Sequence, residues 1–202
     1  MERSGLRLSF FGPSGSGKSA CFGMAEDAIR ERAGGHVKVY RADVAGPLRE
    51  IQFVAYRSMG LADPGRGAED MPQDGRLLSL LASHFEPHLG RACCSLVDSV
   101  SQAHPARDAA FVNTDCRDNA YDALHDFGFW FVRVEADADT VRRRVAQRCD
   151  LSPYDPGAAV ERTGGIRPHL TLRNDGTLGE LREAVGRAVQ AAIFMREEFL
   201  SA

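Results

Sequence analysis

The chain has 202 residues, a length that suits one compact core and buries about 70% of the surface the unfolded chain exposes, so neither disulfides nor a structural metal is required. At 44% hydrophobic, 26% charged and 8% aromatic it is too apolar for a disordered chain, and its longest apolar runs, such as 127–132, fall far short of the about 20 residues that cross a bilayer. Twenty-five Lys plus Arg against 28 Asp plus Glu give a net charge of −3, which offers no global basic field and argues against nucleic acid as a partner. Met1 to Ser9 lacks the basic start and apolar stretch of an export signal, and no membrane partner is expected. The five cysteines (Cys21, Cys93, Cys94, Cys116, Cys149) are odd in number and contain no Cys-x-x-Cys pair, which points to thiols in a reducing, cytoplasmic setting.

Strand-like apolar runs alternate with amphipathic stretches, the pattern of an α/β layer protein. Leu6 to Phe11 predicts a first strand, followed by a glycine-rich turn and a helix from about Gly17 to Arg32 that Gly34-Gly35 ends. His36 to Arg41 predicts a second strand and Pro47 to Met59 a second helix. An irregular stretch from Leu61 to Gly75 follows. Asp74 can cap a helix with Leu77, Leu78 and Leu81 on one face, and Pro87 is expected to stop it. Residues 91–103 suit either a buried strand or a helix, with helix favoured. Ala109 to Asn113 predicts a strand, Asp118 to Phe127 a helix, and Phe129 to Val134 a strand. Asp137 caps a basic helix to about Arg148, and after a stretch rich in Pro and Gly, His169 to Arg173 predicts the last strand. Thr177 and Glu180 have capping-box spacing before a final helix striped with Leu178, Leu181, Val185, Val189 and Ile193. The expected architecture is a three-layer α/β fold with a mostly parallel sheet covered by helices on both faces. Its long amphipathic helices leave a homodimer open.

Gly12-Pro-Ser-Gly-Ser-Gly-Lys-Ser19 matches G-x-x-x-x-G-K-[ST] without mismatch and stands where it must, between a strand and a helix. Glycines let backbone N–H groups turn in around phosphate oxygens, and the helix N-terminus adds partial positive charge. The phosphate-binding set is therefore Gly12, Ser14, Gly15, Ser16, Gly17, Lys18, Ser19 and Ala20, with Lys18 reaching the β- and γ-phosphates of ATP and the Ser19 hydroxyl ligating Mg2+. No N-K-x-D string exists to read guanine, and no Glu follows Asp115 to position a hydrolytic water. The residues thus point to phosphoryl transfer over a GTP switch or a motor ATPase.

Asp115 stands just beyond a strand end, where carboxylates meet a nucleotide, and is the candidate magnesium carboxylate. The alternative is that Asp115 or Asp118 caps the next helix. Asp43, past the second strand, could orient or deprotonate an acceptor hydroxyl. Arg144 and Arg148, spaced i, i+4 on the basic helix, can both fork onto the transferring phosphoryl group. His84 and His88 read as surface residues, and Trp130 and the Cys93-Cys94 pair as core.

These residues resemble the P-loop kinases of small metabolites, nearest the deoxynucleoside monophosphate kinases, with dephospho-coenzyme A kinase and phosphomevalonate kinase as relatives. The resemblance lies in the P-loop, Ala42-Asp43, the Gly-Arg-Leu-Leu run at 75–78, Asp115-Cys-Arg117 before a helix, Arg144-x-x-x-Arg148 after a strand, and Asn174-Asp-Gly-Thr177. It implies that Lys18, Ser19, Arg144 and Arg148 serve ATP and magnesium, and that the loop of Asn174 and Gly176 cradles adenine by backbone contacts. It also implies that Asp43, Arg76 and Arg117 face the acceptor, a (deoxy)nucleoside monophosphate or modified nucleotide. The chain departs from that group at Gly46, where an acid is usual, and in the run 77–83, which lacks its glutamine and glycine. One P-loop domain over 1–202 is expected, with an acceptor-binding flap about 44–90 and a lid about 149–167. The alternatives are a nucleotide-binding regulatory or assembly module without a small acceptor, and a kinase for a hydroxyl of another metabolite or of a modified base in DNA.

Overall fold

A computed structural model describes residues 5–63, 65–103, 108–147 and 162–201. Five strands, β1 (Leu6–Phe11), β2 (Lys38–Arg41), β3 (Ala109–Asn113), β4 (Trp130–Glu135) and β5 (Leu170–Arg173), form one sheet in the order β2-β3-β1-β4-β5. Every pairing is parallel, with Leu6 beside Ala110 and Leu8 beside Trp130. All strand C-termini therefore open on one edge, where ligands bind in sheets of this kind. The described helices are α1 (Lys18–Ala33), α2 (Gly46–Ser58), α3 (Gly75–Ala103), α4 (Asp118–Asp126), α5 (Ala138–Ala146) and α6 (Leu178–Ser201).

Period-two alternation divides the core between the two faces of the sheet. Leu8, Phe10, Val112, Val132 and Val134 pack with Ile29 of α1 and Val185 and Val189 of α6. Phe11, Phe111 and Phe131 face the other way, onto Leu89 and Val97 of α3 and Leu124 of α4. Parallel strands buried on both faces read as apolar runs, which is why β1, β3 and β4 were plain in the sequence. The caps are also as expected. Asp74 accepts from the N–H groups of Arg76 and Leu77 (3.1 Å each), Asp137 from Thr140 (2.7 Å), and Thr177 and Glu180 close the reciprocal box before α6. Cys21, Cys93, Cys94 and Cys116 are free thiols, whereas Cys149 lies outside the described residues. No helix among the described residues is long and apolar enough to cross a membrane.

The expected stop at Pro87 is corrected: α3 runs through it unbroken for 29 residues, so 91–103 is helix. Proline removes one N–H and leaves the Ser83 carbonyl without its helical donor. Ser83 is exposed, where water can take that place. The buried face meanwhile continues past the proline through Leu89, Gly90, Cys93 and Val97. At Gly90 the helix meets α4 so closely that a β-carbon would stand 2.9 Å from Ala123 Cβ and 3.2 Å from Ala120 Cα. Packing along the whole length outweighs the cost of an interior proline, about 3 kcal/mol once the ring's crowding of that carbonyl is included. Trp130 is half-buried and stacks on His169, with ring centroids 5.5 Å apart.

Gly90→Val is expected to destabilise the fold by about 1–3 kcal/mol in urea unfolding, because α4 cannot move off without opening the core. Gly23→Ala, at an exposed position of α1 with open space around it, is expected to stabilise by about 0.4–1 kcal/mol. Equal effects at the two positions would show that the α3–α4 contact is not tight.

Candidate functional site

The turn between β1 and α1 is built from left-handed glycines: φ is +146° at Gly12, +84° at Gly15 and +98° at Gly17. Each also lacks room for a side chain. A β-carbon would meet the Val134 carbonyl oxygen at 2.2 Å from Gly12, Val145 Cγ2 of α5 at 2.9 Å from Gly15, and Asn174 Nδ2 at 2.1 Å from Gly17. The loop is thereby wedged between the end of β4, helix α5 and the residue after β5. Lys18 folds back over it, its Nζ donating to the Pro13 carbonyl (2.9 Å), while Ser19 and Ala20 stand exposed in the first turn of α1. Ser14 is half-buried in the same loop.

Two buried polar atoms at this loop, Ser16 Oγ and Arg144 Nη1, have no partner among the described residues. A buried guanidinium N–H without an acceptor is costly, and an anionic oxygen in the loop would satisfy it. The chemistry present therefore fits polyphosphate. Arg144 Nη2 reaches Asn174 Oδ1 (3.5 Å), so the structure brings together the glycine loop, Arg144 and Asn174. Gly176 is exposed two residues on, in a loop where Asp175 accepts from the Asp137 N–H (2.6 Å). Arg148 lies outside the described residues, as does 149–161 of the stretch expected to form a lid.

Beside the loop, at the ends of β2 and β3, two carboxylates share two arginines. Asp43 is buried and accepts from Arg41 Nε and Arg49 Nη2 (2.6 Å each), from the Thr114 N–H (2.9 Å) and from the Thr114 hydroxyl (3.0 Å). Asp115 accepts from the N–H groups of Val44 (2.7 Å) and Ala45 (2.9 Å), from Asn113 Nδ2 (3.0 Å) and from Arg49 Nη2 (3.3 Å). Neither carboxylate caps the helix that follows it: the N-cap of α4 is Arg117, and Asp118 accepts from the Gly165 N–H instead. Arg117 Nη1 donates to the Gly12 carbonyl (3.3 Å), linking this net to the glycine loop. Arg76 stands exposed in the first turn of α3.

For magnesium, Ser19 offers an exposed hydroxyl, but each oxygen of Asp115 already takes two donors. A direct bond from Asp115 to a metal would displace one of them.

Arg41, Arg49, Asn113 and Thr114 are the members that sequence reasoning passed over. Arg41 and Arg49 flank Asp43 at i−2 and i+6, a spacing that brings charges together only once α2 folds back on the strand end. Asn113 is buried, takes a hydrogen bond from Ser9 Oγ (2.9 Å) and donates to the Ala42 carbonyl (2.9 Å). Its signal was a polar residue closing an apolar strand.

Burial pushes the Asp43 carboxyl upward, but Arg41, Arg49 and the Thr114 amide outweigh it and hold the group below the ordinary carboxylate range. Burial, followed by repulsion from Asp43, pushes Asp115 up to about 6, with Arg49 and the Ala45 and Val44 amides opposing. Burial and then the neighbouring Asp115 raise the Cys116 thiol to about 12, so it stays protonated and inert at neutral pH.

No family model matches the chain, and no curated protein does. Among solved structures it is similar to a sugar kinase from Janibacter sp. HTCC2649, with TM-score 0.56 and 12% identity over 94% of each chain. It is similar also to a gluconokinase from Sinorhizobium meliloti 1021, with TM-score 0.51 and 15% identity over 100% of each chain. At such identities the likeness establishes the three-layer α/β P-loop fold.

Because the folded pKa of Asp115 lies above the about 3.9 of an unfolded aspartate, its stabilising contribution is complete below about 4 and is lost as pH rises through about 6. Asp43 acts in the opposite sense, its contribution being lost as pH falls below the ordinary range. Carbon-detected NMR is expected to show the Asp115 carboxyl titrating near pH 6. Asp43→Asn is expected to lower that midpoint, since a like charge is gone and Arg49 is freed, and Arg49→Met to raise it. Midpoints that ignore both variants would show that the two carboxylates are not coupled.

Proposed function

We propose that the chain is a phosphotransferase that takes the γ-phosphoryl group of ATP, with magnesium, and delivers it to a small acceptor, a (deoxy)nucleoside monophosphate or modified nucleotide. The observation that carries this reading is the adjacency, on one sheet edge, of a glycine cradle with unmet buried polar atoms and a carboxylate–arginine net joined to it through Arg117. The similarity to a sugar kinase and a gluconokinase supports small-molecule phosphoryl transfer as the class of reaction.

In this reading Gly12 to Ala20 hold the polyphosphate, and Lys18 leaves the Pro13 carbonyl for the β- and γ-oxygens. Ser19 would hold magnesium, which when bound offsets charge on those oxygens; Asp115 would join it as the carboxylate ligand by giving up one of its donors. Arg144, with Arg148, would spread the charge of the equatorial oxygens. The loop of Asn174 and Gly176 would take the base. The flap about 44–90 would bring Arg76 to the acceptor opposite Arg117, with Asp43 facing it from the end of β2, and the stretch about 149–167 would close over both ligands to exclude water.

The choice of a phosphate acceptor follows from Asp43. A base must be free to take a proton, and Asp43 is held low with both oxygens occupied. An acceptor phosphate is already ionised near pH 7 and needs only to be positioned, a role this reading gives to Arg76 and Arg117.

The test is ADP release from ATP and magnesium over a panel of nucleoside monophosphates, nucleosides, sugar acids and small phosphorylated metabolites. Turnover that depends on a monophosphate, and that falls by at least about 10²–10³-fold in Lys18→Ala, is expected. Turnover with hydroxyl acceptors alone would move the reading to a hydroxyl kinase. ATP binding with no turnover across the panel would sink the kinase in favour of a nucleotide-regulated module.

A further inference from the structure

Asn174 is a neutral side chain, buried, at the first position after β5. A carboxamide is costly to bury unless its polar atoms are used, and here Nδ2 and Oδ1 each meet a different element while the backbone N–H meets a third. The backbone N–H donates to the Glu135 carbonyl at the end of β4 (2.8 Å). The side-chain Nδ2 donates to the Ser16 carbonyl of the glycine loop (2.7 Å), and Oδ1 receives Arg144 Nη2 from α5 (3.5 Å). Gly17 packs against the junction: a β-carbon there would lie 2.1 Å from Asn174 Nδ2 and 3.7 Å from Arg144 Nη1. The two buried polar atoms at the glycine loop without partners among the described residues, Ser16 Oγ and Arg144 Nη1, belong to the two residues that this carboxamide bridges.

The geometry has a direct consequence for a phosphate ligand. Ser16 C=O and Gly17 N–H belong to one trans peptide and point in opposite directions. Holding the carbonyl toward Asn174 therefore turns the Gly17 N–H away from it and fixes that peptide against rotation. The same carboxamide meets the guanidinium of Arg144 beside the loop at 3.5 Å, and Arg144 Nη1 has no partner among the described residues.

We propose that Asn174 is a positioning residue that locks the Ser16–Gly17 peptide and aims Arg144 at the terminal phosphate of a bound nucleotide, so that a side chain from the base-side loop sets phosphate discrimination. This rests on the nucleotide-binding reading above and extends it, because there the Asn174 loop contributes backbone contacts alone. Asn174 touches no reacting atom; it acts through Arg144 and the loop.

Calorimetric titration of the full chain with ATP, ADP and AMP, each with magnesium, tests it without an acceptor. Wild type is expected to bind ATP more tightly than ADP. Asn174→Ala and Arg144→Met are each expected to shrink that ratio by about tenfold, and the double variant to shrink it no further than either alone. Asn174→Asp keeps an oxygen for Arg144 but sets an acceptor against the Ser16 carbonyl, so it is expected to weaken ATP and ADP together while retaining more discrimination than Asn174→Ala. A ratio of two affinities on one preparation is unmoved by partial loss of folded protein, which separates positioning from stability. Equal loss of all three nucleotides in Asn174→Ala, or additive losses in the double variant, would overturn the proposal. A wild type that binds none of them would bring down the nucleotide reading with it.

Discussion

Three positions without a β-carbon fix the centre of this molecule. Gly12, Gly15 and Gly17 adopt backbone angles that L side chains resist, and at each the missing carbon is replaced by a neighbour: the Val134 carbonyl, Val145 of α5, and the Asn174 carboxamide. Backbone can approach backbone this closely only where there is nothing to displace. The loop's shape is thus imposed from outside by β4, α5 and the turn after β5, all of which lie far along the chain. A loop held on three sides keeps its N–H groups arranged before any ligand arrives, and preorganised donors are worth most when nothing must move to use them.

The net at the ends of β2 and β3 obeys a different rule. Asp43 and Asp115 would repel each other in a partly buried site, and they are tolerated because Arg41 and Arg49 return as much charge as the carboxylates bring and because each oxygen finds donors. Arg49 serves both acids, so neither carboxylate titrates independently. The backbone donors come from α2's entry turn at Val44 and Ala45, and the side-chain donors from Asn113 and Thr114. Losing one member would leave others buried and unmatched. The net therefore ties the orientation of α2 to the end of β3 more firmly than apolar packing would, since α2 buries little beyond Leu48 and Gln52.

Much of this was legible in the sequence because it is local. The motif at 12–19 joins a strand to a helix at fixed spacing, the runs in β1, β3 and β4 are apolar on both faces, and the caps at Asp74, Asp137 and Thr177 act within three residues. The misreading at Pro87 shows where locality fails: a proline's cost is local, but the Gly90 contact with Ala120 and Ala123 that outweighs it spans 30 residues and more. The partners of Asp43 were hidden for the same reason. An arginine on a helix carries no mark of which carboxylate it will meet, and Asn174 bonded to Ser16 across 158 positions leaves no trace in spacing. Residues whose role is to present backbone could be read; those whose role is to join distant elements could not.

The two halves of the edge also differ in what they leave unmet, and that difference gives the site a direction. At the ends of β2 and β3 the charges of Arg41 and Arg49 are spent on Asp43 and Asp115. On the loop side Arg144 meets, among the described residues, a neutral carboxamide oxygen, and its Nη1 has no partner among them. An anion entering the second half completes hydrogen bonds that the protein lacks, whereas one entering the first must compete with carboxylates already seated. Arg117, which donates to the Gly12 carbonyl from the turn that carries Asp115, stands at the border between them. Sequence places that border in one tripeptide, Asp115-Cys116-Arg117, whose acid faces α2, whose thiol is buried beneath, and whose base faces the loop.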